Sequence, residues 1–411
     1  MLAGKATYFG VKALFFTALF LCAFHLANAQ YFALNPEKKK VNIPFKMMRN
    51  MIIVKMSINN KGPFNFILDT GVGLMIITDY SIADSLALAH KRTIKLNGLG
   101  DGDASEAIVT PPLDVQIDGL KSNGISAAIL KSDLFDLSGH VGMTIHGLLG
   151  YEFFNGLGVN INFNDSLITV YRPKEYKPFR KSQKIPITIE DHKPYLHTYI
   201  TLPDGTAVLN KFVLDLGAGH PVSLENMIKK YGLPKNAIAA NLGVALNGPI
   251  SGYLSRIKEV ELGKYSLKNV ITSFPNTDYV SRASVERDGN LGMDILKKFN
   301  IGFDYSNGFL YIRPSNTFKA PFEHDMSGIE YYLSGENLSH LIVSRIAPGS
   351  PADDVGMLRG DEITSINFKP TSKMNTEEID NYFKAPGKSL LLEVYHDGRY
   401  ERVVITLRRQ L

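Results

Sequence analysis

The chain has 411 residues, of which 45% are hydrophobic and 21% are charged, and its formal net charge is +5. These values are typical of a folded protein with about two to four domains, and they exclude disorder over most of the length. No basic stripe with interleaved aromatic residues occurs, so we expect no nucleic-acid partner.

Residues 1–29 have the pattern of a secretory signal peptide. Lys5 and Lys12 come before a short apolar run at 13–23, and Ala27-Asn28-Ala29 forms a small-residue cleavage site. The run is short and wrongly flanked for a membrane span, although an uncleaved anchor stays an open alternative. Cys22 is the single cysteine and would leave with this segment. We therefore expect Sec-type export to a periplasmic, cell-envelope or extracellular location, with membrane contact only through the signal segment.

The first half begins with short strands that lead to an aspartate. The pattern predicts strands over 41–45 and 51–56 and a turn at 59–62, followed by a third strand over 64–68. This third strand is apolar and ends directly at Asp69-Thr70-Gly71. The sequence therefore predicts a hairpin whose second strand delivers a carboxyl group into a turn.

A helix is predicted next, over 81–90, and a glycine-rich loop at 98–103 follows between strands. Further short strands lead to Gly147-Leu148-Leu149-Gly150.

The second half repeats this plan. Another apolar strand ends at Asp215-Leu216-Gly217, and the sequence Gly289-Asn290-Leu291-Gly292 follows later. The two glycine-containing stretches are 142 residues apart (289 − 147), and the aspartates are 146 apart (215 − 69). The similarity predicts a duplicated domain made mostly of short strands, with 171–184 as the connector.

The composition changes near residue 314, and a smaller unit of mixed elements is predicted after it. Its predicted parts are strands over 328–333 and 341–343, a turn at 347–352 entering a short helix, a strand within 360–367, a helix over 375–384 and closing strands over 389–395 and 402–408.

Two aspartates brought together can share one proton, because like charge raises the pKa of one of them. The ionised partner can then take a proton from a water while the neutral partner donates one to a carbonyl oxygen. The glycine two residues after each aspartate would let the two turns approach closely. Taken singly, each aspartate is better explained as a turn carboxylate, and it is the duplication that favours a shared site.

The duplicated pattern resembles the pepsin-like and retroviral aspartic proteases, in which Asp-Thr/Ser-Gly pairs with a later hydrophobic-hydrophobic-Gly strand. Leu216 and Asn290 depart from that pattern, because they lack the expected hydroxyl and the expected apolar character. The resemblance implies a mainly β fold with two duplicated acid-protease-like β-barrel lobes over 41–175 and 184–314, and flaps at 98–103 and 246–252. It implies Asp69 and Asp215 as catalytic residues, supported by Thr70, Gly71, Leu216, Gly217, Leu149, Gly150, Leu291 and Gly292.

The region 320–411 resembles a PDZ domain of the bacterial type, a small α+β unit. The matching stretches include Ser327-Gly328-Ile329, Gly349-Ser350-Pro351-Ala352 and Gly360-Asp361-Glu362-Ile363. The resemblance implies that a peptide binds beside the helix at 375–384, with its carboxylate on Ser327, Gly328 and Ile329. An empty or internally filled groove is the alternative.

These features lead to two hypotheses from different classes. The first is an exported aspartic endopeptidase with polypeptide substrates, whose PDZ domain binds peptide tails and which needs no metal or cofactor. The second is a non-catalytic peptide-binding scaffold with a degenerate protease body, a reading that Leu216 favours. Self-processing stays a third alternative. The separation of the two carboxyl groups discriminates between the first two.

Overall fold

The computed structural model describes residues 31–86, 92–96, 104–122, 124–133, 136–225, 227–245, 248–276 and 284–411. The predicted signal peptide and the first flap tip lie outside these ranges, as do residues 246–247 of the second flap. Within the described ranges, no helix is both long and apolar enough to cross a membrane. The described chain is mainly β.

The first lobe contains fourteen short strands and three short helices among its described residues, together with a 3₁₀ turn at Pro173–Glu175. Its strands are β1 Phe32–Leu34, β2 Lys40–Pro44, β3 Lys46–Met48, β4 Met51–Ile58, β5 Lys61–Leu68, β6 Met75–Ile77, β7 Arg92–Leu96, β8 Ser105–Val109, β9 Val115–Ile117, β10 Leu120–Ser122, β11 Ala127–Leu130, β12 Gly147–Leu149, β13 Gly158–Asn162 and β14 Leu167–Tyr171. Its helices are α1 Ser81–Ser85, α2 Leu137–Val141 and α3 Tyr151–Phe154.

The second lobe follows the same plan. Its described strands are β15 Gln183–Pro186, β16 Thr188–Glu190, β17 Lys193–Thr201, β18 Ala207–Leu214, β19 Val222–Leu224, β20 Ile238–Ala245, β21 Gly248–Leu262, β22 Tyr265–Pro275, β23 Gly289–Leu291, β24 Phe299–Asp304 and β25 Phe309–Pro314. Its helices are α4 Met227–Tyr231 and α5 Met293–Leu296.

The predicted hairpin before the first aspartate is confirmed, with β4 and β5 paired antiparallel. Asn59 and Asn60 between them have φ values of 48° and 62°. Two consecutive residues of positive φ make the turn whose twist matches that of the flanking strands, and asparagine tolerates that conformation better than most residues. The local sequence therefore explains where β5 begins.

The order of strands confirms the duplication. One sheet runs β4-β5-β12-β6-β11-β8-β7, and the sheet of the second lobe runs β17-β18-β23-β19-β22-β21-β20. Each strand of the first series occupies the position of its repeat in the second. The first sheet also takes in β1, which pairs with β10, so it includes residues that precede position 41.

A six-stranded sheet in the order β15-β25-β24-β13-β14-β2 joins the two lobes. At its centre β13 and β24 are antiparallel, and Asn160 pairs with Gly302. These two residues are 142 apart (302 − 160), which is the repeat offset, so each pairs with its own equivalent. A local two-fold axis therefore passes through this pair. One hydrophobic cluster continues through both lobes and includes the side chain of Leu216.

The C-terminal unit has its own hydrophobic cluster. Its strands are β26 Ile329–Ser334, β27 His340–Ile346, β28 Glu362–Ile366, β29 Lys369–Pro370, β30 Ser389–His396 and β31 Arg399–Thr406; its helices are α6 Pro351–Asp354 and α7 Thr376–Phe383, with a 3₁₀ turn at Thr371–Lys373. The sheet order is β26-β27-β28-β30-β31, with β29 beside β28. The predicted order of elements after residue 320 is confirmed.

Candidate active site

Asp69 and Asp215 leave the ends of equivalent strands in equivalent ways. β5 runs parallel to β12, and β18 runs parallel to β23. The backbone N–H of Asp69 donates to the carbonyl of Leu149, and that of Asp215 donates to Leu291, both at 2.9 Å. Buried strand pairs thus fix both backbones, as expected for a rigid site.

The glycines of both turns provide the room in which the two carboxyl groups meet. A Cβ added to Gly71 would lie 2.8 Å from Oδ1 of Asp215, and one added to Gly217 would lie 2.2 Å from Cγ of Asp69. Each turn therefore accommodates the carboxyl group of the opposite lobe, and any larger residue would collide with it. The Gly71 N–H also donates to Asp69 Oδ1 at 2.7 Å, and the Gly217 N–H donates to Asp215 Oδ1 at 3.0 Å.

The electrostatics of Asp69 are those of one member of a proton-sharing pair. Burial, the negative charge of Asp215 and a hydrogen bond with its carboxyl group raise the pKa of Asp69 well above the usual range. The Gly71 amide and the charge of Lys193 lower the pKa of Asp69, but burial and the charge of Asp215 outweigh them. The Asp69 side chain is the more enclosed of the two, because the residue is only 8% exposed. Burial and the neighbouring negative charge therefore both favour the protonated form of Asp69.

Thr70 braces the two lobes from one side only. Its hydroxyl donates to the Leu214 carbonyl at 2.6 Å and accepts from the Leu216 N–H at 3.0 Å. The equivalent side chain in the second lobe is Leu216, which is fully buried in the apolar cluster and has no donor or acceptor. Leu216 lacks the hydroxyl that the family pattern has at this position, so the reciprocal contact from the second lobe to the first is not made.

A polar contact in the second lobe has no equivalent in the first. The Asn290 side-chain N–H donates to Asp215 Oδ2 at 3.3 Å, and the Asn290 Oδ1 atom is hydrogen-bonded to the ring of His220. The corresponding residue of the first lobe is Leu148, whose side chain cannot donate. The two carboxyl groups therefore differ in their side-chain partners, because in the described structure Asp215 accepts from an amide side chain and Leu148 offers Asp69 no such donor.

The later glycines hold the loops that follow the aspartates. A Cβ on Gly150 would lie 2.2 Å from the carbonyl oxygen of Val72, and one on Gly292 would lie 2.1 Å from that of His220. The predicted supports Leu149, Gly150, Leu291 and Gly292 are therefore all brought to the aspartates. The predicted flap positions follow β7 and β20, each of which forms a hairpin with the strand after it.

The loop predicted to bind a peptide carboxylate already holds a carboxylate of the chain itself. Asp325 accepts hydrogen bonds from the N–H groups of Ser327 at 3.3 Å and Gly328 at 2.6 Å, and from the Ser327 hydroxyl. The Ile329 N–H donates to the Ser327 hydroxyl oxygen at 3.0 Å. All three predicted amide donors thus have internal partners, and peptide binding at this loop stays a prediction.

Two functional contacts were missed by the sequence reasoning. Asn290 was visible as a polar residue at an apolar position of the pattern, which was the signal for its contact with Asp215. Asp325 carried no such signal, because Asp-x-Ser-Gly is an ordinary turn sequence.

Comparison with known families agrees with this geometry. Residues 54–153 and 200–295 match the family model described as aspartyl protease, and residues 342–395 match the PDZ domain model. The first segment contains Asp69 and the second contains Asp215, each together with its later glycine strand. No curated protein sequence matches the chain. The crystal structure of aspartic proteinase from Irpex lacteus is 10% identical to this chain, with a TM-score of 0.45, and the match covers 68% of this chain and 99% of that one.

Proposed function

We propose that this chain, which carries two segments of the aspartyl protease family and a C-terminal PDZ domain, is an exported aspartic endopeptidase. The observation that supports this most is the close approach of the two carboxyl groups, because a Cβ on Gly71 would lie 2.8 Å from Asp215 Oδ1 and one on Gly217 would lie 2.2 Å from Asp69 Cγ. A wide separation would have favoured a scaffold, because separate carboxylates cannot share a proton and a water. The pattern of residues 1–29 supports the export part of the proposal.

The proposed reaction divides the work between the two carboxyl groups. Asp215, held by Asn290, accepts a proton from a water, whose oxygen forms a bond to the carbonyl carbon of the scissile peptide. Asp69, protonated, donates its proton to the carbonyl oxygen. The tetrahedral intermediate then collapses: the C–N bond breaks, the nitrogen takes the proton held by Asp215, and Asp69 recovers a proton from the intermediate.

The position of the pair favours proton transfer of this kind. Leu68 and Leu214 precede the aspartates and are fully buried, so the strands that carry the carboxyl groups are shielded from water. Each carboxyl group packs against the glycine of the other lobe, which limits its movement. The carboxyl groups therefore lose little conformational entropy when they reach the reactive geometry.

The scaffold hypothesis keeps one observation in its favour, which is the missing hydroxyl at Leu216. Thr70 nevertheless contacts the second lobe on both sides of Asp215, through the carbonyl of Leu214 and the amide of Leu216. One hydroxyl therefore provides two contacts across the interface, and we favour the enzyme.

The test is cleavage of casein by the purified chain without residues 1–29, measured from acidic to neutral pH. Asp69→Asn and Asp215→Asn should each abolish cleavage and leave the fold intact, as judged by circular dichroism. Thr169→Ala is a matched control, because its exposed hydroxyl contacts only Asn42 at the lobe surface. Cleavage at the wild-type rate by either aspartate variant would refute the proposal.

A further inference from the structure

The edge of the PDZ sheet that would receive a peptide faces the first lobe. PDZ domains add a peptide as a strand between an edge strand and a helix. Here β26 is an end strand of its sheet. Helix α7 flanks it, because the Tyr331 hydroxyl lies 2.7 Å from Asp380 Oδ1 and 3.3 Å from the Thr376 carbonyl oxygen. The groove is therefore the space between β26 and α7.

That groove is occupied by the chain itself. Arg49 Nη1 lies 3.5 Å from the Tyr331 carbonyl oxygen, and a Cβ on Gly139 of α2 would lie 2.7 Å from the Leu333 carbonyl oxygen. Tyr331 and Leu333 are two residues apart on one strand, so their carbonyl groups point to the same side. The Thr376 hydroxyl on α7 also donates to the Val141 carbonyl at 3.1 Å. The first lobe thus covers the edge and touches both walls.

Arg49 is held in the groove as a ligand side chain would be. Its guanidinium pairs with Asp380 at 3.0 Å and lies 4.0 Å from the centre of the Tyr331 ring. The Arg49 side chain is only 10% exposed. A planar cation that stacks on an aromatic ring and pairs with a carboxylate uses the particular geometry of arginine. The groove is therefore complementary to a basic side chain.

The carboxylate loop argues against a free peptide C-terminus as the ligand. Asp325 and the Ser327 hydroxyl occupy the amides of Ser327, Gly328 and Ile329. A terminal carboxylate would have to displace Asp325, whereas an internal segment needs only the edge of β26 and the contacts of Asp380 and Tyr331.

We propose that the PDZ groove is occupied in cis by the first lobe, and that its external ligand is an internal peptide segment whose arginine replaces Arg49. Binding of such a segment releases Arg49 and α2 from the domain. The PDZ domain is then a switch that senses arginine-containing peptide segments.

Release of Arg49 from the groove would also affect the loop that holds Asp215. The effect on catalysis rests on the proposed peptidase function. Asn50, next to Arg49 in the turn between β3 and β4, donates to the Gly219 carbonyl at 2.9 Å. Gly219 lies two residues beyond Gly217, in the loop that holds Asp215. The same Asn50 side chain accepts from Lys297 at 2.8 Å. One turn therefore contacts the PDZ groove on one side and the active-site loop on the other.

Binding of the natural occupant as a separate peptide tests the proposal. The probe is a fluorescein-labelled peptide of residues 46–53, closed head to tail to keep the hairpin, and its twin carries citrulline in place of arginine. Fluorescence anisotropy on the full chain should show that the probe binds Arg49→Ala at least about tenfold more tightly than wild type. The reason is that the apparent affinity falls in proportion to the fraction of molecules whose groove is open. The citrulline probe, and the double variant Arg49→Ala/Asp380→Asn, should lose that gain.

The matched control is Arg402→Ala, which removes an exposed arginine from β31 at the opposite end of the sheet and should bind the probe as wild type does. Equal affinity of wild type and Arg49→Ala, or no binding to Arg49→Ala, would overturn the proposal. If Arg49→Ala does not fold, the test is amide hydrogen exchange of residues 137–142 in the wild-type chain. A saturating concentration of the probe should speed this exchange, because it releases α2 from the PDZ domain. Unchanged exchange would overturn the proposal. The double variant Asp69→Asn/Arg49→Ala should bind the probe as tightly as Arg49→Ala does. The binding test therefore gives its answer whether or not the chain is a peptidase.

Discussion

Replacing Thr70 with valine removes the hydroxyl that joins the two lobes and keeps the shape of the side chain. Two backbone groups lose their partner together, the Leu214 carbonyl at 2.6 Å and the Leu216 N–H at 3.0 Å. The side chains of both leucines are fully buried, so water cannot substitute well. Each unpaired group costs about 1–3 kcal/mol, so the free energy of unfolding should fall by about 2–6 kcal/mol. Leu216 offers no second hydroxyl to compensate.

The assay is denaturant unfolding of Thr70→Val and of Thr70→Ser, with casein cleavage measured on the same preparations. Thr70→Ser keeps the hydroxyl and loses one methyl group, which should cost only about 1 kcal/mol. Cleavage by Thr70→Val should fall by about 100-fold, because Asp215 is held against Asp69 through this contact. Equal stability and equal cleavage of the valine and serine variants would show that the hydroxyl does not brace the site.

Two further predictions concern groups around the aspartates. Asn290→Leu, which copies Leu148 of the first lobe, should lower the rate of casein cleavage by about tenfold, because the Asp215 carboxyl group loses a hydrogen bond that contributes about 1 kcal/mol. Cleavage at the wild-type rate would contradict it. Burial raises the pKa of Glu152 from 4.5 to about 7, so the stability that its protonated form provides is complete below about pH 4.5 and is lost as the pH rises through 7. Glu152→Gln keeps an acceptor for the Met75 N–H. In thermal or denaturant unfolding it should stabilise the chain by about 3 kcal/mol at pH 8 and should have no effect at pH 4. An equal effect at both pH values would mean that the charge of Glu152 is not the cause.

The two-lobed fold and its aspartates could be predicted because their signals are local and occur twice. An apolar strand before Asp69 and another before Asp215, each with a later glycine strand at nearly the same distance, define equivalent units without knowledge of any contact. The turn at Asn59 and Asn60 is likewise a property of two adjacent residues, because their side chains tolerate positive φ.

The tertiary structure decided how these units work together. Whether two carboxyl groups 146 positions apart share a proton depends on how closely their turns approach, and Gly71 and Gly217 allow that approach only when the lobes are packed. The same holds for Arg49 and Asp380, which are 331 positions apart and meet in the PDZ groove. Pairing between distant residues leaves no period or spacing along the chain, since each partner is chosen by the shape of the folded surface.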